Sequence, residues 1–281
     1  MSLFDFDQPD RYAVMGNPIA HSKSPAIHTM FAAQTGQRME YTAIQVDPGG
    51  FAQAVRQFVA NGGKGLNITV PFKQEAWRLV DVRTPRAERA GAVNTIVVQR
   101  DNRLLGDNTD GIGLVRDLVQ NHVVQLSNKA ILLMGAGGAA RGVLAPLLEQ
   151  RPAQFMVANR TVDKALALAQ EFGVRGCAYE GLGVESFDLI INATAASLHG
   201  ELPALPDGVL QQGGVCYDMM YGAQATPFMQ WAQQHGAARV IDGLGMLVEQ
   251  AAEAFSAWRG VMPDTAAVIS ALRRNMTSGG K

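Results

Sequence analysis

Short apolar runs alternate along this chain with segments whose apolar residues recur at helical spacing. The runs Arg11–Met15, Gln154–Ala158 and Phe187–Ile191 are short and largely apolar, which predicts strands that are buried in a sheet. The segment Phe51–Asn61 instead carries its apolar residues three or four positions apart, which is typical of one face of a helix. This repeated succession of strand and helix predicts an α/β fold with a twisted, largely parallel sheet.

The end of the chain also follows a helical pattern. From about Met246 to Trp258, apolar residues fall on one helical face, and a further helix is expected over Asp264–Asn275. An apolar face of this kind must pack against another element. We therefore expect the late helix to return to the first part of the chain.

A glycine-rich turn follows the apolar run Ala130–Met134 and leads into a helix. Gly135, Gly137 and Ala140 occupy the small positions of the pattern G-x-G-x-x-[G/A], which is typical of dinucleotide-binding turns. The first small residue permits the tight turn, the second lets the backbone approach a pyrophosphate, and the third lets the helix pack on the strand. The motif alone also admits a plain strand–helix turn or an S-adenosylmethionine site.

The residues after the next strand distinguish between two nicotinamide cofactors. A protein that binds NAD usually has an acidic residue here, whereas this chain has Asn159-Arg160-Thr161 and then Lys164. A guanidinium in place of the acid suits the 2′-phosphate of NADP. The alternative is that Thr161 caps the following helix and Arg160 is a solvated surface charge.

Polar residues also gather near the start of the chain. Pro25 suits the first helical position, and Ser24 would be the N-cap of that helix. Ser22 and Ser24 flank Lys23 beside the helix start, so the two hydroxyls could hold a carboxylate.

Two ionisable residues stand beside predicted element ends. Gly65–Val70 is expected to be a strand with Asn67 and Thr69 on one face, and Lys73 lies just past its end. Ligands of open α/β sheets bind beyond the carboxyl ends of strands, where a lysine can exchange a proton with a substrate oxygen. Asp110 lies in a polar loop before a helix predicted over 112–121, where it can be an N-cap, a catalytic acid or both.

Composition narrows the functional classes. The 281 residues carry a net charge of −1 without a basic block, which argues against nucleic acid as the main partner. We expect no membrane span, because no apolar run reaches about 18 residues. The acidic N-terminus lacks a signal pattern, so a cytoplasmic protein is expected. Cys177 and Cys216 are expected to be reduced thiols, and no metal-binding spacing occurs.

Several separated motifs together resemble the shikimate dehydrogenase family. They are GNPIAHSKSP, GLNITVPFK, GAVNTI, GDNTDGIG, GAGGAARG, NRT, INAT, YDMMY, TPF and DGLGMLVEQAAEAFSAWRG, in the family's order and over nearly the whole chain. The resemblance implies an NADP-dependent oxidoreductase that reversibly reduces 3-dehydroshikimate to shikimate in aromatic amino-acid (chorismate) biosynthesis. It implies small-molecule partners, and we expect a monomer or homodimer.

The resemblance also implies a domain organisation. An α/β substrate domain would comprise residues 1–111, completed by the C-terminal helices over 244–281. A Rossmann-like, doubly wound NADP-binding domain would comprise residues 112–243.

Individual residues match family positions of known role. Lys73 and Asp110 match the catalytic pair, and Ser22 and Ser24 match the serines that hold the substrate carboxylate. The other implied substrate-side residues are Asn67, Thr69, Asn94, Tyr221 and Gln250. The implied cofactor residues are Gly135, Ala136, Gly137, Gly138 and Ala139 at the pyrophosphate, Asn159, Arg160, Thr161 and Lys164 at the 2′-phosphate, and Thr194, Met219, Gly243 and Met246 at the nicotinamide.

One departure and several alternatives accompany this interpretation. The family commonly has Asn-Ala-Thr-Ser-x-Gly where this chain has Ala195, Ala196 and Ser197 after Thr194, which is expected to alter that loop. A quinate/shikimate dehydrogenase of broader specificity, possibly using NAD, is the nearest alternative. A non-catalytic NADP-binding regulator and a transferase using S-adenosylmethionine are the others.

Overall fold

Two six-stranded sheets organise the structure, a computed structural model that describes residues 8–194, 196, 201–202 and 205–278. Each sheet belongs to its own unit of the chain. The first unit joins the residues up to Thr109 with Gln250–Val268, and the second joins Asp110–Glu249 with the residues from Ile269 onward.

The first unit holds a mixed sheet in the order β2-β1-β3-β5-β6-β4. Its strands are β1 (Asp10–Gly16), β2 (Met39–Gln45), β3 (Gly63–Ile68), β4 (Val82–Arg83), β5 (Thr95–Val98) and β6 (Leu104–Asp107). Its helices are α1 (Ser24–Thr35), α2 (Phe51–Ala60), α3 (Lys73–Leu79) and α4 (Pro85–Ala90). Strands β1, β2 and β3 run parallel, whereas β5 runs antiparallel to both β3 and β6. Strands β5 and β6, which follow each other in the chain, therefore form an antiparallel hairpin.

The second unit holds a sheet in the order β12-β11-β10-β7-β8-β9, and each neighbouring pair of strands runs parallel. The strands are β7 (Ala130–Met134), β8 (Gln154–Ala158), β9 (Arg175–Cys177), β10 (Phe187–Asn192), β11 (Leu210–Asp218) and β12 (Arg239–Asp242). The helices are α5 (Asp110–Arg116), α6 (Gly138–Leu148), α7 (Val162–Phe172) and α8 (Pro227–Gln234). This order is that of a doubly wound dinucleotide-binding sheet, whose ligand site lies where the strand order reverses.

Two C-terminal helices complete both units. Helix α9 (Leu244–Arg259) contributes its first residues to the second unit and, from Gln250, the rest to the first. In the first unit, the Trp258 indole N–H donates to the carbonyl of Ile96 at 3.0 Å. Helix α10 (Thr265–Ser278) also divides, because Arg273 forms a two-point ion pair with Asp242 of the second unit.

The sequence expectation assigned all of 244–281 to the first unit, whereas the residues from Ile269 group with the second. The Arg273–Asp242 pair is one contact that α10 makes within the second unit. The assignment of substrate and cofactor binding to these domains stays a prediction.

Three local predictions were wrong. Helix α1 begins at Ser24 itself, with Lys23 at the N-cap and no capping side chain among the described residues. Strand β3 ends at Ile68 rather than at residue 70, because the chain turns there and the Phe72 N–H donates to Thr69 O at 3.0 Å. The helix predicted over 112–121 changes after Arg116 into a π-helical turn, Asp117–Asn121.

Each unit buries its own apolar core. In the first, side chains such as Phe51, Leu66 and Ile96 are fully buried, and in the second Leu133, Val143 and Ile191 are. None of the helices within the described residues is long and apolar enough to cross a membrane.

Candidate active site

A buried network of amides and hydroxyls lies at the centre of the first sheet. The Asn67 amide accepts a hydrogen bond from the Tyr41 hydroxyl at 2.7 Å and donates to the Thr95 hydroxyl at 3.2 Å. The Tyr41 hydroxyl also hydrogen-bonds with the side chain of Ser24, which is buried. Two of the candidate substrate residues, Ser24 and Asn67, are therefore connected through a tyrosine that sequence reasoning did not single out.

Asn94 extends this network to the loop after β6. Its side-chain oxygen accepts hydrogen bonds from the Thr109 N–H at 2.9 Å and from the Thr95 hydroxyl at 2.9 Å. Its amide nitrogen lies 3.5 Å from the Gln250 Oε1, and Thr109 Oγ1 lies 3.4 Å from the same oxygen. Asn67, Asn94 and Gln250, which lie far apart in the sequence, thus meet through shared partners.

The loop over Asp107–Thr109 is held by an ion pair beneath it. Arg86 donates to both oxygens of the Asp107 carboxylate, with distances of 2.6 and 2.5 Å, and reaches Glu253 at 3.0 Å. Burial works to raise the pKa of Asp107, but hydrogen bonds from Arg86 and Thr84 outweigh it, so the pKa lies below its ordinary value. The carboxylate stays charged and holds the loop that leads to Asp110.

The two candidate catalytic residues each begin a helix. Lys73 is the first residue of α3 in the first unit, and its carbonyl accepts the Val93 N–H at 2.9 Å. Asp110 is buried and is the first residue of α5 in the second unit. Their pairing in catalysis stays a prediction.

The two serines near α1 have local partners. Ser22 Oγ accepts the backbone N–H of Ser24, the first residue of α1, at 3.3 Å. Thr69, a further candidate, lies in the turn after β3 and is half-buried.

Behind Tyr41 lies a buried histidine. His28 is fully buried and stacks on the Tyr41 ring, with their centroids 4.2 Å apart. Burial lowers the pKa of His28 to about 3. The neutral ring therefore supports Tyr41 as a packing surface.

In the second unit, the turn after β7 has the form of a phosphate cradle. Gly135 has a φ of +105°, and a Cβ there would lie 3.2 Å from the backbone of Ala193. At Gly137 and Gly138, in contrast, an added Cβ would meet no described atom within 4 Å. Open space therefore lies beside the first turn of α6, where backbone N–H groups lack intrahelical partners. The turn fits a pyrophosphate in its chemistry.

The residues that follow β8 present positive charge. Arg160 and Lys164 are exposed, and their side chains form no hydrogen bond or ion pair with another described residue. Asn159 shapes the turn by donating to the Thr161 carbonyl at 2.9 Å. Thr161 occupies the N-cap position of α7, but its side chain forms no capping hydrogen bond within the described part of the chain. These donors fit the 2′-phosphate of NADP.

The carboxyl ends of β10, β11 and β12 gather the candidate nicotinamide residues at one edge of the sheet. Thr194 donates through its N–H and hydroxyl to Asn192 Oδ1, at 3.1 and 2.7 Å. The Met219 N–H donates to the Asn192 carbonyl at 2.9 Å. A Cβ at Gly243 would lie 2.2 Å from the Met219 carbonyl, and Met246 is buried in the first turn of α9.

Two further candidates complete this unit. Tyr221 is half-buried, and burial, followed by the nearby charge of Asp242, raises the pKa of its phenol, so the hydroxyl stays protonated. Of the sequence departure after Thr194, Ala195 and Ser197 lie outside the described residues.

Sequence reasoning missed several residues that hold these sites. Tyr41 had no signal in a short strand, whereas Thr95 and Thr109 stand inside GAVNTI and GDNTDGIG and could have been found there. Asp218 was also missed, although it fixes Asn192 by accepting its amide N–H at 3.1 Å.

Family models match most of the chain in three segments. A shikimate dehydrogenase substrate-binding domain matches residues 14–96, a shikimate/quinate 5-dehydrogenase domain matches residues 117–199, and a shikimate 5′-dehydrogenase C-terminal domain matches residues 243–273.

Curated relatives and solved structures match over nearly their whole length. The shikimate dehydrogenase (NADP+) of Nitrosococcus oceani is 59% identical over 272 residues, which cover 95% of this chain and 96% of the relative. The crystal structure of an Ael1 enzyme from Pseudomonas putida superposes with a TM-score of 0.90 at 50% identity, covering 94% of this chain and 98% of that one.

A third match carries both ligands. It is the shikimate 5-dehydrogenase of Thermus thermophilus in complex with NADP(H) and shikimate, with a TM-score of 0.86, 36% identity, and coverage of 94% of this chain and 99% of that one. These similarities extend across both units of the fold. The chain therefore belongs to the shikimate dehydrogenase family.

Proposed function

We propose that this chain catalyses the reversible NADPH-dependent reduction of 3-dehydroshikimate to shikimate, a step of aromatic amino-acid biosynthesis. The observation that carries this proposal is the amide cluster of buried Asn67 and Asn94 with half-buried Gln250, which shares hydroxyl partners in the first unit. Amide side chains offer both donors and acceptors, which suits a substrate with several ring hydroxyls. The relatives at 59% identity, named shikimate dehydrogenase (NADP+), support the same reaction.

The hydroxyls near α1 are proposed to bind the substrate carboxylate. Ser22 is half-buried and Ser24 is buried, and each hydroxyl is a neutral donor. The start of α1 adds a favourable dipole for an anion. Thr69, in the turn after β3, and Tyr221, whose phenol stays protonated, are proposed as further hydroxyl donors on the substrate side.

The cofactor is proposed to be NADP, which supplies and accepts the hydride when bound. The turn Gly135–Ala139 would hold the pyrophosphate, and Arg160, Lys164, Asn159 and Thr161 would hold the 2′-phosphate. Thr194, Met219, Gly243 and Met246 would line the nicotinamide. An exposed guanidinium in place of an acidic residue favours the 2′-phosphate over a bare ribose hydroxyl.

Lys73 and Asp110 are proposed to handle the proton. Negative charge grows on the substrate's C3 oxygen as its carbonyl is reduced, and the Lys73 ammonium would stabilise that charge and donate a proton. Asp110, buried at the start of α5, would hold the lysine and a substrate hydroxyl in place. The pair would titrate as a coupled unit.

A broader specificity that includes quinate is the second candidate. It is favoured by the family model that matches residues 117–199, which is described for both shikimate and quinate dehydrogenases. A non-catalytic NADP-binding regulator is disfavoured because Lys73 and Asp110 are both present. A transferase using S-adenosylmethionine is disfavoured by Arg160 in the place of an acidic residue.

An absorbance assay at the NADPH band tests the proposal. The purified protein is mixed with shikimate or quinate, each with NADP or NAD. Rapid reduction of the cofactor is expected with shikimate and NADP, and not with the other three pairs. Comparable turnover of quinate, or a preference for NAD, would mean that the protein is a dehydrogenase of broader specificity. Cofactor binding without any turnover would refute the proposal that the protein is an enzyme. Its action in the cytoplasm as a monomer or homodimer stays a prediction.

A further inference from the structure

Asp117 is a fully buried carboxylate that none of the roles above uses. It is the first residue of the π-helical turn Asp117–Asn121 in the second unit. Its Oδ2 accepts the Tyr217 hydroxyl at 2.7 Å, and its Oδ1 accepts the Asn121 amide at 2.9 Å. Burial of a carboxylate is costly unless hydrogen bonds compensate it, and these two donors supply that compensation.

Tyr217 connects this carboxylate to the first turn of α9. The Tyr217 hydroxyl donates to Asp117 and accepts the backbone N–H of Met246. That N–H belongs to the first helical turn, where no intrahelical carbonyl is available to accept it. The hydroxyl therefore forms a relay between Asp117 and the backbone of Met246.

The carboxylate also packs directly on α9. A Cβ added at Gly245 would lie 1.9 Å from Asp117 Oδ1, so glycine alone leaves room for the close approach. A negative charge beside the N-terminal turn of a helix is electrostatically favourable. Asp117 thus holds the first turn of α9 both by contact and through Tyr217.

The groups that Asp117 holds are those proposed to line the nicotinamide. Met246 receives its backbone position from Tyr217, and Gly243 directly precedes α9. Tyr217 lies in β11 two residues before Met219, the third of these residues. Loss of the hydrogen bonds that join Tyr217 to Asp117 and Met246 would therefore shift Met219, Gly243 and Met246, which together form the nicotinamide-binding wall. The residues after β8 would stay in place.

We propose that Asp117, acting through Tyr217 and Gly245, is a positioning residue that fixes the nicotinamide-binding wall. This inference rests on the proposed function, because it takes from it the residues that line the nicotinamide. It predicts that loss of the relay weakens recognition of the nicotinamide half of NADP and spares the 2′-phosphate half.

Tyr217→Phe tests the relay with the full-length protein. Isothermal titration would compare the dissociation constants of NADP+ and of adenosine 2′,5′-bisphosphate, which lacks the nicotinamide. The variant is expected to bind NADP+ about threefold to tenfold more weakly, since one buried hydrogen-bond relay is lost. Adenosine 2′,5′-bisphosphate is expected to bind with an unchanged constant.

Gly245→Ala provides a second perturbation of the same wall, because its Cβ would collide with the Asp117 carboxylate. This variant is also expected to bind NADP+ more weakly and adenosine 2′,5′-bisphosphate with an unchanged constant. Tyr12→Phe is the matched control: it removes a buried tyrosine hydroxyl in the first unit, where Arg259 donates to it at 3.3 Å. This control is expected to bind both ligands as the unaltered protein does.

The outcomes separate this inference from the proposed function. Equal weakening of both ligands, or no weakening of NADP+ binding in either variant, would overturn the positioning role of Asp117. Failure of the unaltered protein to oxidise shikimate with NADP would instead refute the proposed function, and the ratio of the two dissociation constants would still report on the relay.

Discussion

The side chain of Asn94 accepts the backbone N–H of Thr109 at 2.9 Å, which ties the start of β5 to the residue that directly precedes Asp110 in the chain. The same side-chain oxygen also accepts the Thr109 and Thr95 hydroxyls. One amide therefore satisfies several buried polar groups of the first unit.

Asn94→Ala is expected to lower both stability and activity. The buried N–H of Thr109 would lose its acceptor, which costs about 1–3 kcal/mol in the free energy of unfolding. Urea unfolding and kcat/KM for shikimate would measure the two effects. Asn61→Ala, an exposed asparagine after α2, is the control and should leave both unchanged. A fully active Asn94→Ala would contradict the proposed substrate role of this amide.

Lys73→Ala is expected to lower kcat by ~10²–10⁴-fold, the usual contribution of a general acid–base group. The KM for shikimate should change far less, because the amides and serines would still bind the substrate. Lys64→Ala, which removes an exposed lysine in β3, is the matched control. If KM rose by that factor while kcat held, Lys73 would be a binding residue.

Arg160→Ala is expected to reduce the preference for NADP over NAD. Hydrogen bonds to charged groups contribute about 1.5–3 kcal/mol, so the ratio of the two kcat/KM values should fall roughly tenfold or more. Arg56→Ala removes an exposed arginine from α2 and should preserve the ratio. An unchanged ratio in the Arg160 variant would mean that Arg160 does not bind the 2′-phosphate, and that the 2′-phosphate site lies elsewhere.

Asp107 is expected to make stability depend on pH in a defined direction. Its pKa in the folded protein lies below 3.8, because hydrogen bonds from Arg86 and Thr84 outweigh the effect of burial. A carboxyl with a depressed folded pKa contributes stability that is fully present above its unfolded pKa and lost as the pH falls through the folded value.

Comparison of the wild-type protein with Asp107→Asn isolates the contribution of the Asp107 carboxyl group to stability. The difference in unfolding free energy should be constant above about pH 5 and shrink as the pH falls below about 4. Denaturant unfolding at a series of pH values would measure it. A difference that grew on acidification would mean that the Arg86–Asp107 pair does not hold the carboxylate in its charged form.

Local sequence patterns predicted much of the fold. The apolar runs at Ala130–Met134 and Gln154–Ala158 coincide with β7 and β8, because the glycines and polar residues around them stop each strand sharply. Thr226 precedes Pro227 and caps α8, since its side chain accepts the Met229 N–H at 3.2 Å. Turn and polar residues bound these strands, and a local side-chain hydrogen bond caps α8, so local sequence is sufficient to predict where these elements begin or end.

Contacts between distant segments could not be predicted in this way. Tyr217 and Asp117 are 100 positions apart, and no local pattern marks either as a partner of the other. Ser24 resembled an N-cap, but its side chain hydrogen-bonds with Tyr41 from the neighbouring strand. In both cases tertiary packing determines the hydrogen-bond partner, and the local sequence pattern does not indicate which residue that partner is.

Transfer of deuterium from NADPH to the substrate carbon reports directly on the proposed reaction. The protein would be incubated with 3-dehydroshikimate and NADPH that carries deuterium at the transferring position of its nicotinamide ring, and the product would be examined by NMR. The expected product is shikimate with deuterium on C3, the carbon that carries the new hydroxyl. Recovery of unreacted 3-dehydroshikimate, although NADPH binds, would contradict it.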